Sequence, residues 1–160
     1  MVVAGLVLRT WARGHLDRAQ VVTQTGPFAF VRHPLYVGSF FVGLGVSLMS
    51  RVPLIPVLFT LAFLLMYWPK AMREEHFLRN RFGDDYGRYA ERVGSVVPRL
   101  ARPRTPVERA DRHFQWRGIV RYREYETWIG AAAMVGVMMW RAGSLDGFLR
   151  SIGQGLGLVR

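Results

Sequence analysis

Cysteine is absent from this chain of 160 residues, which excludes a disulfide framework, a thiolate zinc site and a cysteine nucleophile, and leaves the redox compartment unread. Acid is scarce too: 11 Asp and Glu face 22 Lys and Arg, a formal net charge of +11. There are only four histidines. His15, His76 and His113 read as surface residues, no pair has metal-ligand spacing on one element, and no metal is predicted. Apolar residues, in contrast, make up 51% of the chain. High apolar content and strong basicity seldom coincide in a soluble globule. Two classes fit the combination, a nucleic-acid binder and a membrane protein.

The distribution of charge separates them. Residues 34–50 carry no charged side chain over 17 positions, and 52–69 carry none over 18, with only Arg51 between. At 1.5 Å per residue, helices over these runs would be about 26 and 27 Å long, close to a hydrocarbon core of about 30 Å. They predict a transmembrane helical hairpin. A soluble domain of this size would have to cover both helices on every side, and the rest of the chain is too polar to do so. Of the 22 basic residues, 18 lie before residue 34 or between 70 and 126. The positive-inside rule places both segments in the cytoplasm and the Arg51 turn outside. Nine acids are interspersed between 70 and 126 without a stacking-aromatic motif, which argues against nucleic acid as a partner.

The remaining segments complete an all-α reading. Residues 1–8 are apolar, too short to span and without signal-peptide features, and read as the end of a helix that begins earlier. Residues 73–93 extend the second helix along the membrane surface, with a cap or bend at Gly83 and with Tyr86 and Tyr89 as interfacial anchors. Pro98, Pro103 and Pro106 make 97–107 an extended linker, and 122–126 reads as a solvated edge. Residues 127–140 suit a re-entrant or helix-packing segment, and 143–160 an amphipathic surface helix. Ser39, Gly43 and Ser47, four apart, form a stripe for helix packing within the chain or between subunits of a homo-oligomer. The expected architecture is an integral-membrane helical bundle with a transmembrane hairpin, cytoplasmic amphipathic helices and no Rossmann sheet. Residues 1–99 form its core, and 100–160 a linker with apolar and amphipathic helices.

A hairpin brings residues 26–36 and 70–76 to one membrane level. Pro34 suits the first helical position, so Arg32 and His33 stand just before the positive end of a helix, a place that attracts carboxylate or phosphate. Opposite them are Glu74 and Glu75, about 100° apart on a helix, so only one can point into a shared cleft. Glu75 reads as the one that turns aside, on a solvated helix turn. A basic helix start, a facing carboxylate and aromatic rings suit a zwitterion with a second positive charge, and S-adenosylmethionine is one such ligand.

The run Gly26-Pro27-Phe28-Ala29-Phe30-Val31-Arg32-His33-Pro34-Leu35-Tyr36-Val37-Gly38, the charge-free helix pair, and then Glu74-Glu75, Leu78, Phe82-Gly83, Tyr86, Tyr89 and Val93 resemble the isoprenylcysteine carboxyl methyltransferase and phospholipid methyltransferase superfamily. The likeness extends over about residues 4 to 99, since Gly5-Leu6 and Leu8 to Ala12 also resemble bacterial members. It implies an integral-membrane, S-adenosylmethionine-dependent methyltransferase in a bacterial inner membrane, its site facing the cytoplasm and its lipophilic substrate arriving from membrane lipid. Position by position, it implies a cofactor held by Gln20, Val21, Val22 and Thr23, by Phe28, by His33, Pro34, Leu35 and Tyr36, and by Glu74. Arg32 and Glu75 are counted with that cofactor-binding set. Lys70 stands where the isoprenylcysteine enzymes have an Arg that meets the substrate carboxylate, and Phe28 where a Tyr is more usual. Lys keeps the charge and loses the bidentate fork.

Two acceptors remain open. A carboxylate is already ionised at neutral pH and needs only a cation such as Lys70 or Arg73 to orient it. An amine must first lose a proton, for which Glu75 or His76 is the available base. A subunit of this fold that binds or assembles without methylating is a further alternative.

Overall fold

The computed structural model describes residues 1–16, 22–99 and 124–141 together with Gly143 and Gly147, and every structural statement below concerns these. The readings made for Gln20, Val21, His113, most of the 97–107 linker and the helix at 143–160 lie outside them. Four α-helices account for the described residues: α1 (Val2–His15), α2 (Pro34–Leu48), α3 (Leu54–Arg92) and α4 (Glu124–Arg141). A 3₁₀ turn, Gly26–Ala29, precedes α2. The one β-type feature among them is an isolated parallel bridge between Val31 and Gly94.

Helices α2 and α3 run antiparallel across a five-residue turn in which Arg51 takes a positive φ of 58°. Their contacts step along the pair. The Phe59 ring fills the notch left by Gly43, Phe40 meets Phe63 at 5.3 Å, and Tyr36 meets Tyr67 at 5.2 Å. Offset and edge-to-face ring pairs of this kind add about 0.5–1.5 kcal/mol each beyond the area they bury. α1 packs against α2 through glycine, since a Cβ on Gly5 would stand 2.6 Å from the Gly38 carbonyl oxygen. Only glycine permits that backbone approach.

The stripe of Ser39, Gly43 and Ser47 is therefore occupied within the chain. Ser39 accepts from Arg9 of α1, Gly43 receives Phe59, and Ser47 is buried and bonded to the Leu44 carbonyl.

α3 is the one described helix long and apolar enough to cross a membrane, and α2, at 15 residues, is apolar but shorter. The first half of α3 turns Leu54, Leu58, Leu61, Leu64 and Leu65 outward. The helix passes Pro69, which lacks the N–H that would bond the Leu65 carbonyl, and continues to Arg92. Its bend is at Gly83, with φ 53° and ψ −126°, a conformation that side chains with a Cβ rarely adopt.

Beyond the bend, the expected interfacial anchors are core residues. Tyr86 is 1% and Tyr89 5% exposed, packed with Val22, Ala90 and Val93. The bend folds the end of α3 back over the chain that leads into α2, so the rings meet protein.

α4 begins three residues before the apolar run, at Glu124, and buries Ala131. Acid in its first turn and Arg141 in its last both complement the helix dipole. The solvated edge expected there is buried at Glu124, which is 1% exposed.

Candidate functional site

The site is assembled around the chain entering α2. Gly26 adopts a φ of +59°, and a Cβ there would strike the His15 ring. The turn that follows buries Pro27 and Phe28. Tyr89 donates from its hydroxyl to the Phe28 carbonyl at 2.8 Å. Next, the Arg32 N–H donates to the Gly94 carbonyl at 2.9 Å and the His33 N–H to that of Ser95 at 3.0 Å. The segment before α2 is thus fixed by the segment after α3, two stretches some sixty residues apart. Pro34 then opens α2 at its first position with His33 as N-cap.

The two adjacent glutamates separate as a helix requires. Glu74 is half exposed, faces a cavity of about 730 Å³, and accepts from the Tyr36 hydroxyl at 2.7 Å. Glu75 turns away from that cavity, and not into water. Its Oε1 lies 3.1 Å from Nη2 of Arg32 and 3.0 Å from Nε2 of His33, and accepts from the Ser95 hydroxyl at 3.2 Å. Only 14% of its side chain is exposed. The reading of Glu75 as a solvated turn is corrected: α3 delivers it beneath the start of α2, where two basic side chains converge. The buried His33 ring stacks on Tyr36 at 5.3 Å.

Of the residues singled out in the sequence, Val22, Thr23, Phe28, Arg32, His33, Pro34, Leu35, Tyr36, Lys70 and Glu74 all line this one cavity. Lys70 holds its ammonium 5.7 Å from the centre of the Tyr36 ring and 5.6 Å from that of Tyr67, within cation–π range. Arg73 and His76 are exposed and lie off the cavity.

Sequence reasoning missed several wall residues. Tyr67 carried no signal beyond its place in an apolar run. Tyr86 and Tyr89 were legible only as an i, i+3 aromatic pair. Burial pushes the Tyr86 hydroxyl up to about 12, with the negative charge of Glu75 adding to it. Burial also raises Tyr89, and both hydroxyls keep their protons at neutral pH.

The wall opposite α3 comes from α1. Arg9 and Arg13 line the cavity and converge on Glu124 of α4, with Arg9 Nε at 2.7 Å and Nη2 at 3.2 Å, and Arg13 Nε at 3.1 Å. Thr127 accepts from Arg9 at 3.2 Å, and the Trp128 indole donates to Thr10 at 2.9 Å.

A family model described as phospholipid methyltransferase matches residues 2–85, more than half of the chain. The chain is 32% identical over 102 residues to the nickel-cobalt-cadmium resistance protein NccN of Alcaligenes xylosoxydans xylosoxydans, covering 62% of this chain and 47% of that protein. It is 31% identical over 98 residues to the protein-S-isoprenylcysteine O-methyltransferase of Schizosaccharomyces pombe, with coverage of 61% and 42%. It is 33% identical over 98 residues to a probable protein-S-isoprenylcysteine O-methyltransferase of Oryza sativa subsp. indica, with coverage of 61% and 51%. The chain spans about half the length of these relatives. No solved structure matches it. The matched span contains α1, the turn before α2, the hairpin and both glutamates, and by that match the chain belongs to the phospholipid methyltransferase family.

Proposed function

We propose that the chain is an integral-membrane methyltransferase that binds S-adenosylmethionine in the cavity between α1, α2 and α3 and methylates the carboxylate of a lipophilic substrate, in the manner of an isoprenylcysteine carboxyl methyltransferase. The observation that carries this is the placement of Glu74 across from the positive start of α2, joined to it by Tyr36. That donor set fits the cofactor. A carboxylate favours the Arg32 side and the helix start, an amine or ribose hydroxyl favours Glu74, and a sulfonium favours the faces of Tyr36 and Tyr67. The volume lies within the usual range for small-molecule sites, about 300–1,000 Å³. Gln20 and Val21 complete the proposed cofactor contacts.

The cofactor, when bound, supplies an electrophilic methyl group. The chain's own residues would then position the acceptor and keep water out. Lys70, poised over two rings, meets an acceptor carboxylate, and no proton need move. Transfer to an amine would require a base, and the geometry supports that reading less. Glu75 is committed to Arg32, His33 and Ser95, and His76 is exposed away from the cavity. In this reading α2 and the first half of α3 lie in a bacterial inner membrane, the leucine face of α3 meets lipid, and residue 70 emerges into the cytoplasm, so the acceptor reaches the cavity from the bilayer.

The test is incubation of the purified protein, in its host's lipid extract, with methyl-labelled S-adenosylmethionine. Label released from the lipophilic product by alkali as methanol is the expected result, because a methyl ester is alkali-labile. Alkali-stable label would move the acceptor to nitrogen, and cofactor bound without labelling in any extract would favour a binding or assembly subunit. Glu74→Gln and His33→Ala are each expected to weaken S-adenosylhomocysteine binding by tenfold or more, on the order of one charge-assisted hydrogen bond. Calorimetric titration in detergent checks this, and unchanged affinity in both variants would remove the site.

A further inference from the structure

Two donors on the cavity wall have no acceptor among the described residues. One is the hydroxyl of Tyr86, whose side chain is 1% exposed, and the other is Nε of Arg32. Arg32 spends its Nη2 on Glu75 at 3.1 Å, which leaves the Nε edge of the guanidinium unused. Buried polar groups in native proteins are nearly always paired, because an unmet donor costs the full penalty of its desolvation. The rest of the site follows that rule. Tyr89 bonds Phe28, Tyr36 bonds Glu74, Ser95 bonds Glu75 and Ser39 bonds Leu35. Three buried side-chain atoms among the described residues are exceptions; Thr25 Oγ1 lies off the cavity, and the two that belong to residues of its wall mark a place where a ligand supplies the acceptor.

We infer that Tyr86 O–H and Arg32 Nε–H form a two-donor seat for a carboxylate group of a molecule bound in the cavity. This rests on the reading of the cavity as a methyl-donor site and assigns to Tyr86 a ligand contact. The guanidinium has no acceptor, and the phenol, which keeps its proton to about pH 12, brings a hydrogen that needs one. The Arg32 guanidinium also hydrogen-bonds the phenolic side chain, and the phenolic proton still requires an acceptor. An anion is preferred to a neutral carbonyl by the surroundings, since five basic side chains and one carboxylate line the cavity, beside the positive start of α2. A carboxylate offers two oxygens, one for each donor. The protein's own carboxylate, Glu75, already occupies the other edge of the same guanidinium, and the ligand takes the inner one.

Tyr86→Phe tests the seat, because it removes the hydroxyl and keeps the ring that fills the core. The probes are S-adenosylhomocysteine, decarboxylated S-adenosylmethionine, and N-acetyl-S-farnesylcysteine with its methyl ester, titrated against the whole chain in detergent. If the cofactor's carboxylate sits there, Tyr86→Phe weakens S-adenosylhomocysteine by about tenfold or more and leaves the decarboxylated compound unchanged. If the acceptor's carboxylate sits there, the farnesylcysteine loses affinity and its ester does not. The loss is confined to the carboxylate-bearing member of each probe pair, whereas a merely structural role would weaken both members alike. Equal affinities of wild type and Tyr86→Phe for both carboxylate probes would overturn the seat. Failure of the wild type to bind any probe would overturn the cavity reading itself, and the seat with it.

Discussion

Glu75→Ala is expected to destabilise the protein by about 3–5 kcal/mol, the usual range for removing one member of a buried ion pair. One carboxylate oxygen here serves Arg32 at 3.1 Å, His33 at 3.0 Å and Ser95 at 3.2 Å. Without it, a guanidinium that is 13% exposed has lost its counter-charge, and water cannot replace it cheaply. The entry to α2 loosens as well, because Arg32 and His33 are also the residues whose backbones bond Gly94 and Ser95. Glu74→Ala is the control: its carboxylate is half exposed, and its stability cost is expected to stay below about 1 kcal/mol, the range for a partly solvated polar bond. Denaturant unfolding in a mild detergent, followed by tryptophan fluorescence, separates the two. Equal midpoints for Glu75→Ala and Glu74→Ala would mean that Glu75 does not hold the site together.

The contrast between these neighbours shows what the sequence makes legible. The 100° step between adjacent helical residues already requires that one glutamate face the cleft and the other not. What the one that turns aside meets depends on the segment at 94–95, which folds back under α2 through the bend at Gly83 and the bridge to Val31. No local pattern encodes that return. The hairpin, in contrast, is local. Charge-free runs on both sides of a turn predict α2 and the first half of α3 directly, and the Phe59 ring at Gly43 is what the structure adds. Tyr86 and Tyr89 illustrate the limit from the other side. An aromatic pair three residues apart on a basic helix suits a membrane interface and a protein core equally well until the helix bends. Arg9 and Arg13 carried only a charge-balance signal, and their place on the cavity wall follows from the Gly5–Gly38 approach of α1 to α2.

Glu124→Ala is expected to detach α4 from the core, with a loss of about 3–5 kcal/mol and faster amide exchange throughout residues 124–141. The carboxylate is 1% exposed and accepts from two arginines of α1, more than a hundred residues away in the chain. Thr127 to Arg9 and Trp128 to Thr10 are further polar contacts between this helix and α1. Removing Glu124 also takes from Arg9 and Arg13, which line the cavity, the carboxylate they share. If the pair acts as one unit, Arg9→Met should cost much less in a Glu124→Leu background than alone, because the double variant replaces a buried ion pair by apolar packing, an exchange that is often neutral. A double-mutant cycle on unfolding free energy measures this. Strict additivity would show that Arg9 and Glu124 are independent, and that α4 is held by its apolar face. A coupling above about 1 kcal/mol would instead make Glu124 the link through which the segment beyond the family match braces the arginines of α1 that line the site.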